Sequence, residues 1–261
     1  MRFKLICLLL TIACVSSLAR ADDKPLKVFV LAGQSNMYGN GAKLSELPTD
    51  LLKPQKNVLV FQDGAWMELE PGKAPKQLAA TFGPEVTFGQ AMANHFNEPV
   101  GLIKLAVGGT SLAGDWPLTG KHSLYLKLVA AVKDAQKNRK IDIVGMLWMQ
   151  GEADAVKEEM AKAYHDNLLA LIAAARKDFG NPNLLFACGR INPPVRDRYA
   201  FRDLVRKAQE SIDDPHYRMV DCEDLPKFQD QLHYNGKGQL ELGKRFATAM
   251  IELLNKKTDG K

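Results

Sequence analysis

Long apolar runs are scarce in this 261-residue sequence. The one at the amino terminus, LICLLLTIACV, follows Arg2 and Lys4 and ends at Ala19-Arg20-Ala21. That order of charge, apolar stretch and A-x-A site is a secretory leader, and the run falls short of the roughly 20 residues a membrane-spanning helix needs. The expectation is a leader at 1–21, cleaved after Ala21, and a single exported domain at 22–261, periplasmic or secreted, with no membrane span. Cysteine is also rare: Cys7 and Cys14 leave with the leader, and only Cys188 and Cys222 remain. They can form one disulfide or stay as two buried thiols, and without CxxC spacing they do not make a metal site. Excess charge is lacking too, since losing Arg2, Lys4 and Arg20 takes 35 basic residues to 32 against 30 acids and the net charge from +5 to +2. No basic cluster with interleaved aromatics appears, which excludes nucleic acid as an expected partner. Repeats, low-complexity tracts and Pro/Ser-rich linkers are absent, so nothing divides the chain.

What is present is an alternation. Short runs that are apolar almost throughout, LKVFVLA (26–32), VGLIKLAV (100–107), IDIVGMLWM (141–149), LLFACGRI (184–191) and YRMVD (217–221), are separated by longer helical patterns. Strands apolar on both faces require covering on both faces. Helices between them predict an α/β three-layer α/β/α sandwich around a central, mostly parallel five-stranded sheet. In the closing helix Leu240, Leu242, Phe246, Met250 and Leu253 form a stripe at helical spacing. The region 43–80 breaks the rhythm: NVLVFQDGAWMELE reads as a hairpin about Asp63-Gly64, an insertion expected over the carboxyl ends of the strands.

The first strand runs straight into Gly33-Gln34-Ser35-Asn36. Ser35 there either caps a helix or stands exposed as a nucleophile, with N–H groups at the helix start able to hold a developing oxyanion. In FQDQLHYNGKGQLELG, Asp230 and His233 lie three apart before the last helix. One turn lets the carboxylate reach Nδ1 while Nε2 faces outward, as a general base requires. The order Ser, Asp, His then resembles a hydrolase triad; the other histidines have no such partner and read as structural. Gly108 and Gly109 follow the second long strand and serve either a tight turn or an oxyanion N–H. Gln150 ends the next strand with an amide that could be a further oxyanion donor. Glu152 is either a helix-start charge or a partner of the catalytic residues, and Asp154 reads as a cap of the following helix. Trp66 and Trp116 fall in loops where an indole either stacks on a sugar ring or packs under the loop. Arg190, Arg196 and Arg198 flank INPP near another strand end, solvated or facing an acidic sugar.

LAGQSNMYG, GPEVTFG, AVGGTSL, LWMQGEAD and DQLHYNGKGQLELG occur in this order between residues 31 and 243. Together they resemble the SGNH-hydrolase superfamily, in the branch of sialate O-acetylesterase-like and acetylxylan-esterase proteins, carbohydrate esterase family six. The resemblance implies a flavodoxin-like sandwich and a serine esterase that removes acetyl groups from an acetylated carbohydrate without metal or organic cofactor. It assigns Ser35 as nucleophile, His233 as base and Asp230 as its orienting acid. The N–H groups of Ser35 and of Gly108, or of Gly109 one position on, join the Gln150 amide as the oxyanion hole. Gln34, Asn36, Glu152, Trp66, Trp116 and Arg190 are then supporting or substrate-binding candidates. Acetylated xylan or a related polysaccharide or oligosaccharide is the expected substrate, followed by O-acetyl sialic acid. A non-catalytic sugar-binding protein on the same fold is the alternative. GPE, with Pro84 suited to a first helical turn, reads as structural.

Overall fold

The computed structural model describes residues 24–73 and 80–259. The expected leader at 1–21, with Cys7 and Cys14, lies outside them. Seven strands form one sheet: β1 (Leu26–Gly33), β2 (Gln55–Gln62), β3 (Ala65–Leu69), β4 (Val100–Ala106), β5 (Ile141–Met149), β6 (Leu185–Gly189) and β7 (Tyr217–Val220), in the order β3-β2-β4-β1-β5-β6-β7. Every neighbouring pair is parallel except the β2–β3 hairpin.

Side chains alternate across β1, as a strand covered on both faces requires. Val28, Val30 and Ala32 point into a core layer shared with α4 (Leu124–Asn138) and α5 (Glu158–Asp178). Phe29 and Leu31 enter the opposite layer, against α2 (Glu85–Phe96) and α7 (Gly236–Asp259), where Leu242, Phe246, Met250 and Leu253 are the buried stripe of the last helix. Each such side chain contributes about 1.5–3 kcal/mol by leaving water. Two short helices, α1 (Ser35–Tyr38) and α3 (Leu112–Asp115), follow β1 and β4, and α6 (Arg202–Glu210) follows β6.

The sheet has seven strands, not five, and the hairpin is the reason. Its turn is at Asp63-Gly64, with φ of 51° and 77°, but it does not lie over the strand ends. β2 pairs with the start of β4, Val58 opposite Val100 and Val60 opposite Leu102. Val58 and Val60 are buried in one layer, while Leu59 and Phe61 pack against the other. A ribbon apolar on both faces satisfies itself as the edge of a sheet, not as a polar flap.

Cys188 and Cys222 are both free and buried. Burial pushes the Cys188 thiol up to about 12, and the Cys222 thiol is raised as well, so both behave as small apolar core groups. Among the described residues no helix is long and apolar enough to cross a membrane.

Candidate active site

The strand order reverses around β1, with β4 on one side and β5 on the other, and such a reversal opens a crevice at the carboxyl ends of the strands. There β1 ends at Gly33, with φ +149°; a Cβ on it would meet the Met149 carbonyl oxygen at 2.1 Å. Only glycine lets β1 and β5 stay this close. The Gln34 N–H bonds Met149 O at 3.0 Å and the Val107 N–H bonds Gly33 O at 3.1 Å, so three strand ends fix the start of α1 and with it Ser35.

Ser35 lines a cavity of about 650 Å³ together with His233, Gly108, Gly109, Gln34 and Glu152. His233 arrives from the loop before α7. That loop is closed at its base by Phe228 N–H to His233 O (2.7 Å) and by Asn235, which accepts from Gly238 N–H as the cap of α7. Within it Gln231 takes a left-handed φ of 59°, and Asp230 Oδ1 accepts from Leu232 and His233 N–H, each at 2.9 Å, a self-bonded aspartate turn. The other oxygen, Oδ2, lies 2.6 Å from His233 Nδ1. Partial burial works against the Asp230 carboxylate, but those two N–H groups and the imidazole outweigh it and hold its carboxyl below the usual range. An ionised Asp230 keeps the proton on Nδ1 and leaves Nε2 as acceptor.

Asn36 joins the two halves of the site. Its Nδ2 donates to Glu152 Oε1 (2.8 Å) and to Leu232 O (3.3 Å), and its Oδ1 accepts from Tyr234 N–H at 3.1 Å. Glu152 is 2% exposed, and among the described residues its Oε2 has no hydrogen-bond partner. Burial raises its carboxyl above the usual range, against the pull of Asn36 and His233. It is therefore not a helix-start charge.

Four expected neighbours of the cavity lie elsewhere. Gln150 is fully buried, with Nε2 within hydrogen-bond reach of Asp154 Oδ2 (2.6 Å), Thr110 O (2.9 Å) and, farthest, Gln34 Oε1 (3.2 Å); its two amide hydrogens face these protein acceptors instead of the cavity. Trp116 is buried edge-on against Trp148 at 5.0 Å, its Nε1–H donating to Thr110 Oγ1. Trp66 packs on Phe61 and over Gly101 of β4, where the hairpin covers the sheet edge. Neither indole lines the cavity. Arg190 is also removed from it, held by Glu210, Asp221 and Glu223, whereas Arg198 borders the cavity. Asp154 does cap a helix, but not the following one: its carboxylate accepts from Leu112 and Ala113 N–H at the start of α3.

Some site residues escaped the sequence. Asn40, four residues beyond Asn36, lines the cavity with its Nδ2 3.5 Å from where a Cβ on Gly108 would lie. Met160 and Tyr199 form an apolar wall farther out. Lys104 is buried within β4, paired with Glu85 of GPE and donating to Tyr38 O at the end of α1 (3.2 Å). Burial pushes its ammonium down and Glu85 pulls it back. A lysine inside a doubly covered strand demands a buried counter-charge, and that was the signal available. Among the described residues no group of three or more His, Cys, Asp or Glu could hold a metal ion.

Residues 25–252 match the family model described as carbohydrate esterase, sialic acid-specific acetylesterase. An Arabidopsis thaliana protein described as a probable carbohydrate esterase is 28% identical over 249 residues, 87% of this chain and 91% of the relative. The X-ray structure of that protein superposes with a TM-score of 0.77 at 27% identity, covering 88% of this chain and 99% of that one. The crystal structure of NanS shares the fold with a TM-score of 0.68 at 14% identity, covering 89% and 98% of the two chains. A carbohydrate acetylesterase from Xanthomonas citri shares it with a TM-score of 0.63 at 18% identity, over 87% of this chain and 56% of that one.

Proposed function

The chain belongs to the sialic acid-specific acetylesterase family of carbohydrate esterases, and within that chemistry we propose that it is an exported serine esterase removing O-acetyl groups from a polysaccharide or oligosaccharide such as acetylated xylan. The observation that carries this reading is the 2.6 Å Asp230–His233 contact opening on the cavity that Ser35 shares. His233 Nε2 takes the Ser35 hydroxyl proton as Oγ bonds to the acetyl carbonyl carbon, and Asp230 stabilises the imidazolium. The N–H groups of Ser35 and Gly108 hydrogen bond the resulting oxyanion. Collapse breaks the bond to the sugar oxygen, which leaves with the proton from His233. Water, deprotonated by the same imidazole, then releases acetate from the acetyl-serine.

Acetate release from acetylated xylan and from O-acetyl sialic acid tests this, with residues 22–261 beside Ser35→Ala. Release by the wild type and not by the variant is expected, with xylan the better source. Equal release by Ser35→Ala would refute the serine mechanism; preference for O-acetyl sialic acid would overturn the substrate. Saturable sugar binding without acetate release would mean a binding protein on this fold.

A further inference from the structure

We infer that Tyr199 orients the sugar that carries the ester, its Oη hydrogen bonding a hydroxyl of that sugar. This rests on the reading of Ser35 as the nucleophile of a carbohydrate esterase. Tyr199 is 7% exposed and lines the cavity with Ser35 and His233. Among the described residues nothing shares a hydrogen bond with its Oη, yet the atom is not one of the sealed, unpartnered polar atoms of the core. The hydroxyl therefore opens on the cavity that the residue lines. A phenylalanine would pack the same ring without a hydroxyl that water or a ligand must satisfy. The charges felt by the phenol agree with this placement. Burial raises it most, Arg198 and Arg196 lower it, and Glu152 and Asp230 raise it; Glu152 is the partner of Asn36 and Asp230 that of His233. The phenol stays protonated and keeps its hydrogen to donate.

The backbone around the ring is fixed. Tyr199 N–H bonds Arg196 O (2.9 Å), Arg202 Nη1 bonds Pro193 O across the loop (2.9 Å), and Phe201 N–H bonds Ala155 O (3.1 Å), which ties this loop to the turn after β5. A hydroxyl held this way loses little freedom when it takes a ligand. Val156 and Met160 border the same cavity, so a pyranose can lay its C–H face on them while one of its hydroxyls reaches Oη. A phenol donates and accepts, as a sugar hydroxyl does, so the pair forms with either one donating. Of the other hydroxyls on the cavity, Ser35 is the nucleophile and Ser111 is engaged, accepting from Gly114 N–H (3.1 Å) and donating to Asp115 Oδ2 (3.1 Å). The bond from Tyr199 falls on the leaving sugar and not on the acetyl group, so an ester without a sugar cannot make it.

The test compares wild type, Ser35→Ala and Tyr199→Phe on 4-nitrophenyl acetate, acetylated xylan and O-acetyl sialic acid. Tyr199→Phe keeps the ring and removes the hydroxyl alone. On the carbohydrate ester that the wild type turns over, kcat/KM should fall about 5- to 150-fold further than on 4-nitrophenyl acetate, the loss expected when a substrate hydroxyl is left without its partner. The thermal midpoint of the variant should be no lower than that of wild type, since Oη bonds nothing in the protein. A carbohydrate loss within twofold of the loss on 4-nitrophenyl acetate would overturn this inference alone. So would a lower midpoint, which would give the hydroxyl a protein partner. Ser35-dependent turnover of 4-nitrophenyl acetate and of neither carbohydrate would overturn the carbohydrate substrate, and no Ser35-dependent turnover of any ester would overturn the hydrolase reading; either takes this inference with it.

Discussion

Replacing Asn36 with alanine should cost both stability and turnover, because this one side chain ties the nucleophile turn to the histidine loop. The substitution removes two bonds donated by Nδ2, to Glu152 and Leu232, and one accepted by Oδ1 from the Tyr234 N–H. Two of the abandoned partners are buried. Glu152 Oε1 joins an Oε2 that is already unpaired, and the Tyr234 N–H belongs to a residue with no exposed surface. A buried group stripped of its partner costs about 1–3 kcal/mol, so the pair sums to about 2–6 kcal/mol. A water entering the vacated volume would re-pair one of them and bring the loss to about 1–3 kcal/mol. For a domain of this length that lowers the thermal midpoint by about 2–12 °C. The catalytic effect should fall on kcat and not KM, since a displacement of about 1 Å between Ser35 and His233 costs on the order of 10²-fold. Thermal unfolding followed by circular dichroism at pH 7, beside steady-state kinetics on 4-nitrophenyl acetate, measures both. A midpoint within about 1 °C of wild type would refute the coupling assigned to Asn36, because both buried groups must then have gone unpenalised.

How much of this was legible depends on the range over which each feature is encoded. The two core layers follow from single strands: LKVFVLA is apolar at odd and even positions alike, and such a run has nowhere to go but between two helical layers. The Asp230–His233 pair is local, three residues on one turn, and spacing alone brings the groups within reach. The hairpin was legible as a hairpin for the same reason, but its place was not. Whether β2 and β3 cover the site or extend the sheet depends on β4 having a free edge, a property of topology and not of NVLVF. The amides of Gln34 and Gln150 mark the opposite limit. How the Gln34 amide is turned is decided by backbone N–H groups 117 and 119 residues away in sequence, and that of Gln150 by Thr110 O, 40 residues back, as much as by Asp154 four residues on. Trp66 and Trp116 show the corresponding ambiguity of large aromatics, for which a loop position suits a platform for sugar and a buried support equally well. The support wins here because Gly101 and Trp148 offer surfaces to pack on.

Asp230→Asn should leave the loop intact, since Oδ1 still accepts from Leu232 and His233 N–H, yet lower kcat by up to about 10⁴-fold by favouring the wrong imidazole tautomer; kcat within tenfold of wild type would detach Asp230 from the mechanism. Gly33→Ala drives a Cβ to 2.1 Å from the Met149 carbonyl, and strain plus overpacking of about 2–6 kcal/mol should appear as a lower urea midpoint with unchanged slope. An unshifted midpoint would mean β1 and β5 can separate freely. Glu152→Gln tests the buried carboxyl through pH. Burial raises the Glu152 carboxyl above its ordinary value of 4.5, Asp154 adds to the rise, and Asn36 and His233 oppose it. A carboxyl more easily protonated in the fold than in the unfolded chain contributes stability that is complete below pH 4.5 and is lost as pH rises through the raised value. The amide that replaces it in the variant does not titrate, so the midpoint of the variant minus that of wild type should be smallest near pH 4 and should grow toward pH 8. A difference that is flat across this range, or that widens toward acid, would mean that Glu152 enters the fold already ionised and that its unpaired oxygen is reached by water.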